Sequence, residues 1–69
     1  IAQAAIKAFV NEVLDRLNQA SGVAKAAQAC ADTGNVGKAV EIALDIEQPM
    51  YEANILLNAA SLISRISGG

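Results

Sequence analysis

The chain has 69 residues and a formal charge of −2, which bounds it to one small domain, since domains cluster near about 100 to 150 residues and two cores do not fit in this length. With no His and a single Cys, metal sites of the Cys/His type and triads that need a His base are excluded by inventory, so neither an enzymatic role nor a metal or cofactor is expected. Three Lys and two Arg are spread among three Asp and four Glu without a run of either sign, which leaves no electrostatic footprint for nucleic acid or anionic lipid.

Ala supplies 15 residues beside one Phe, one Tyr and no Trp, so the apolar content is rich in helix formers and poor in large anchors. The first segment, residues 1–20, places Ile6, Phe9, Val10, Val13, Leu14 and Leu17 at steps of three and four, with Lys7, Asn11, Glu12, Asp15, Arg16 and Gln19 on the other arc. That spacing predicts an amphipathic helix. Ser21-Gly22 reads as a stop, because Gly takes the left-handed conformation that ends helices and Ser can cap the next one.

A short second helix is expected over 23–33, with Val23, Ala26, Ala27 and Cys30 inward. Asp32-Thr33-Gly34-Asn35 is the clearest turn, Gly34 suiting the position after a helix end and Asn35 being a strong N-cap. A third helix over 36–46 carries Val36, Ala39, Val40, Ala43 and Leu44 on one stripe, widened by Ile42 and Ile46. Pro49, disfavoured inside a helix and favoured at its first position, predicts a fourth helix over 49–67, closed by Gly68-Gly69.

That last segment carries two apolar stripes, Met50, Ala53, Leu56, Leu57, Ala60 and Ile63 beside Ile55, Ala59, Leu62 and Ile66, and a helix apolar around more than half its circumference is buried on more than one side. Its Ala-faced neighbours offer little to bury it against, and replacing Leu by Ala in a core costs ~2 to 5 kcal/mol. A domain so composed is expected to self-associate or to belong to a longer helical stack. The expected fold is all-α: four helices in antiparallel hairpins, as a small helical bundle or a fragment of a helical-repeat stack.

The stretch from Ala29 to Pro49, with Gly34-Asn35, Lys38-Ala39, Ala43 and the closing Pro49, resembles the second half of a tetratricopeptide-type helical repeat. Val23, Ala26, Ala27 and Cys30 fall at the spacing of that family's first-helix packing positions, so the resemblance covers Val23 to Pro49. It implies paired antiparallel helices, about 34 residues per repeat, and use as a protein-binding scaffold, with no ligand residues carried over.

No residue stands out for chemistry. Cys30 lies on an apolar face near a helix C-terminus, where a thiol is inert rather than activated. Glu41 and Asp45 share a helix face as solvated carboxylates. Gly34-Asn35-Val36-Gly37 follows no strand and lacks the Lys-Ser/Thr ending of a phosphate loop. No stretch reaches the ~18 consecutive apolar residues of a membrane span. The opening Ile1 reads as the start of a processed product or excised segment, which leaves the compartment open. The expected function is a non-enzymatic structural or protein–protein interaction module, a homo-oligomer or a binder of another protein, docking through the fourth helix at Met50, Tyr51, Ile55, Leu62 and Ile66. The alternative is a membrane-active helical peptide or toxin, disfavoured by the lack of a Lys/Arg polar face, and a processed leader or carrier ending in Gly68-Gly69 ranks third.

Overall fold

The computed structural model describes residues 2–68; Ile1 and Gly69, placed above at the start of the first helix and in the closing glycine pair, lie outside the described residues. Three helices, α1 (Ala2–Asp32), α2 (Val36–Leu44) and α3 (Glu47–Ile66), account for almost all of them, and no strand occurs among the described residues. The protein is all-α, but it is not four helices in antiparallel hairpins. α1 is one uninterrupted arm, and α2 and α3 return along it as a single bent arm, each packed on α1. The body measures 52 × 14 × 12 Å, with a radius of gyration of 15.9 Å, where a compact chain of this length has about 11 Å. It is a two-arm rod, two helices wide and one helix thick.

The expected break at Ser21-Gly22 does not occur. Gly22 is helical, and positive φ is confined to Gly34 and Gly68 among the described glycines. A helical Gly costs about 1 kcal/mol relative to Ala, whereas ending the helix here would orphan several backbone hydrogen bonds and detach Val23 and Ala27 from the packed face. Ala20, Ala24, Ala26 and Ala27 surround the glycine with the strongest helix former, so the local cost is outweighed.

The reversal falls at Thr33–Asn35. Gly34, at φ 88°, adopts the left-handed conformation; the Asn35 N–H donates to the Cys30 carbonyl at 2.9 Å and the Gly34 N–H to the Ala31 carbonyl at 3.0 Å. This pair of bonds is a Schellman motif, which satisfies the last carbonyls of α1. The Asn35 side chain then accepts from the Lys38 N–H at 3.3 Å and caps α2.

The returning arm bends at Asp45–Ile46 for a reason written at Pro49. A proline ring clashes with the carbonyl four residues earlier, here that of Asp45, and supplies no N–H to it. The chain instead tightens, with Asp45 N–H donating to the Ile42 carbonyl and Ile46 N–H to the Ala43 carbonyl, each at 3.0 Å. α2 therefore ends at Leu44 rather than Ile46. α3 starts at Glu47 rather than Pro49, which occupies the third helical position, still within the first turn where N–H groups have no helical partner.

The arms meet along a seam whose members alternate steps of three and four. On α1 it runs Phe9, Val13, Arg16, Ala20, Val23, Ala27 and Cys30; on the returning arm, Ala39, Ile42, Ile46, Pro49, Ala53, Leu56, Ala60 and Ile63, all buried or half-buried. This is the 3.5-residue period of coiled-coil packing. The buried side chains are Pro49 and five alanines, Ala20, Ala27, Ala39, Ala53 and Ala60. Alanines recurring at seven-residue intervals bring the arms close together and leave little volume between them. The sequence-level expectation of one broad apolar face on the first helix is corrected as well: Ile6, Phe9 and Val13 turn toward the seam, while Val10, Leu14 and Leu17 stay exposed.

Candidate interaction surface

Beside the seam, on one flank of the rod, the heptad spacing continues. Val10, Leu17, Ala24 and Ala31 recur every seven residues on α1, and Val36, Ala43, Met50 and Leu57 do so on the returning arm. Two depressions lie along this flank. Toward the turn, a hollow of about 370 Å³ is lined by Ala24, Ala27, Gln28, Ala31, Val36, Ala39, Val40 and Ala43. Further along, one of about 200 Å³ is lined by Val13, Leu17, Met50, Ala53, Asn54 and Leu57. The two linings contain no charged residue, and their polar members are the amides of Gln28 and Asn54. Val36 at 62% and Leu57 at 56% exposure bracket the groove with large side chains in water.

The opposite flank carries the charge. Arg16 sits on the seam and bridges the arms, its Nε donating to Glu52 Oε1 at 2.7 Å, while Nη1 reaches Asp15 Oδ2 at 2.7 Å and Glu12 Oε2 at 3.1 Å. Gln48 donates to the second oxygen of Glu52 at 2.8 Å, and Gln19 to Asp15 at 3.2 Å. Desolvation works against the Arg16 charge, but the hydrogen bond to Glu52 and the charges of Glu12, Glu52 and Asp15 outweigh it and raise the guanidinium pKa. For Glu52, the hydrogen bond from Gln48 is the largest influence; partial desolvation opposes it, and the hydrogen bond and charge of Arg16 add to it, so that the carboxyl is held below the ordinary value of 4.5. An arginine in a seam otherwise made of apolar side chains is tolerated because its head reaches the flank, where carboxylates pair with it.

The five residues singled out from the sequence do not form one patch. Met50 belongs to the groove, across from Leu17. Tyr51, Ile55 and Leu62, separated by steps of four and seven, lie on the face of α3 turned away from α1, with Ile66 at 76% exposure near the helix end. The α3 stripes thus divide into a seam row, a groove row and an outer row. Val10, Leu14, Leu17, Val36, Val40 and Leu57 lie on the apolar stripes that the spacing predicts, and they are exposed. What separates them from Phe9, Val13 and Leu56 is the narrowness of a seam two positions wide in each heptad, which leaves the adjoining rows outside the contact.

Cys30 is a half-buried free thiol near the turn. Glu41 is exposed and lies 4.0 Å from the Lys38 ammonium, and Asp45 is exposed at the bend. No helix among the described residues is long and apolar enough to cross a membrane. Compared with known proteins, the chain matches no family model, no curated protein and no solved structure.

Proposed function

We propose that this protein is a non-enzymatic structural or protein–protein interaction module, whose apolar surface on α3, continued across the flank by α1 and α2, is covered by a second helical surface. The observation that carries this reading is the inversion of its core: among the described residues, five alanines are buried while twelve large apolar side chains stand exposed. Monomers leave scattered hydrophobic residues in water, but a contiguous apolar groove marks a contact site. Burying Leu, Val and Met side chains gains about 1.5 to 3 kcal/mol each, and this chain holds that gain in reserve for association. The resemblance to helical-repeat scaffolds points to the same class of use.

Sedimentation equilibrium of the chain across micromolar concentrations, with circular dichroism on the same samples, tests the proposal. A helical species at a multiple of 7.1 kDa, or a poorly folded monomer that needs a partner's surface, agrees with it. A well-folded monomer with cooperative unfolding refutes it, because the two arms would then be sufficient by themselves.

A further inference from the structure

Building on the interaction-module reading, we infer that the occupant of the apolar flank is a second copy of this chain, lying antiparallel across a two-fold axis so that two hairpins close into a four-helix bundle. Three observations converge on this arrangement.

The first is area. The chain exposes 4897 Å², whereas a compact monomer of its mass exposes about 4,100 Å². The excess, on the order of 800 Å², is what each partner contributes to an interface of standard size.

The second is charge. The flank opposite the groove sets three carboxylates, Glu12, Asp15 and Glu52, against the one guanidinium of Arg16. Two copies meeting there would oppose like charges, which is costly in an interface. The groove linings carry no charge, so in an acidic chain this flank accepts an identical surface.

The third is shape. The half of the groove near the turn is a wider hollow of about 370 Å³, floored by alanines and edged by Val36 and Val40, and the other half, about 200 Å³, is bordered by the longer side chains of Leu17, Met50 and Leu57. A two-fold axis perpendicular to the rod sets the large side chains of each copy over the hollow of the other. In such an isologous contact every favourable pairing occurs twice. A parallel pair would instead oppose hollow to hollow and bulk to bulk.

The test uses the full chain and two double variants. Sedimentation equilibrium should give twice 7.1 kDa for the unmodified chain. Leu17→Glu with Val40→Glu, both lining the groove and exposed within one hairpin, should lower the association constant at least a hundredfold, and Ile55→Glu with Leu62→Glu on the outer face of α3 should leave the dimer intact. Should the groove variant fail to fold, orientation decides: a spin label on Thr33→Cys in a Cys30→Ala background reads an inter-label distance near 40 Å in the antiparallel pair, taking ~1.5 Å per residue from a groove midpoint at Ser21. A parallel pair reads under about 20 Å and overturns the inference. Dimers lost with the outer-face variant and kept with the groove variant also overturn it while leaving the interaction reading in place, as do a stoichiometry other than two and an unfolded monomer. A well-folded monomer overturns both.

Discussion

Replacing Gly22 by Ala gives opposite signs for the two ways of folding the first half of the chain. In the structure Gly22 lies mid-helix and exposed, and a Cβ built on it meets nothing within 4 Å. The substitution then adds no clash, removes backbone freedom from the unfolded chain, and stabilises by about 1 kcal/mol. Were Gly22 the left-handed end of a helix over 1–20, Ala there would cost about 1 to 2 kcal/mol. For a domain this small, 1 kcal/mol moves the melting temperature by ~4 to 8 °C. Thermal unfolding followed by ellipticity at 222 nm, at equal chain concentration because association raises apparent stability, should show the variant melting higher by that amount. A lower melting temperature would refute the continuous α1, and with it the seam that joins Ala20 to Ala27.

The same substitution at Gly34, where φ is 88°, should act in the opposite direction, lowering the melting temperature by an amount that corresponds to about 1 to 2 kcal/mol; an unchanged melt would mean the reversal is not built on the Schellman geometry. Ala53→Leu, at a seam position 6% exposed, should overpack the closely spaced arms and cost ~1 to 3 kcal/mol in urea unfolding, whereas a gain would show that the seam has room to spare. Glu52→Gln addresses the charged flank. Because the folded carboxyl titrates below its ordinary 4.5, its stabilising share is complete above that pH and is lost as the pH falls through the lowered folded value. The melting-temperature gap between native chain and variant should therefore be present at pH 7 and close below pH 4.5; a gap independent of pH would remove the contacts of Glu52 with Gln48 and Arg16 from the account.

Helical class was legible in the composition and periodicity, and the Gly34–Asn35 turn was legible because two residues with separate stereochemical reasons stand side by side. The signal at Ser21-Gly22 had one residue of that kind and no left-handed geometry behind it, and the long-range packing of Val23 and Ala27 against the returning arm overrode it. Pro49 was read as a first helical residue when it is the third, since a proline is accepted anywhere in the first turn. In the sequence the five docking residues, Met50, Tyr51, Ile55, Leu62 and Ile66, share hydrophobicity and one helix; which of them share a surface depends on how the arms pair, and Met50 lies in the groove while Tyr51, Ile55 and Leu62 lie on the outer face. That division follows from arm pairing, which the local spacing of α3 does not contain.

The width of the apolar band supplies the remaining step. A two-stranded coil needs apolar residues at two positions of each heptad, and the seam already provides them in Phe9, Val13, Val23 and, opposite, Ile42, Leu56 and Ile63. This chain adds a third apolar row at the same seven-residue interval on both arms, Leu17, Ala24 and Ala31 with Val36, Ala43, Met50 and Leu57, and three apolar positions in seven is the pattern of helices that face more than one neighbour. In a free hairpin the large members of that row stay largely in water, with Leu17, Val36, Met50 and Leu57 between 44% and 62% exposed. The polar opposite flank, fixed by the four-group network around Arg16, cannot play the same part, because any close neighbour there would have to strip water from Glu12, Asp15 and Glu52. In the proposed dimer the groove flank becomes dry and the Arg16 flank stays wet, while Tyr51, Ile55 and Leu62 on the outer face of α3 stay exposed; the groove is favoured over that outer row because apolar residues from both arms line it.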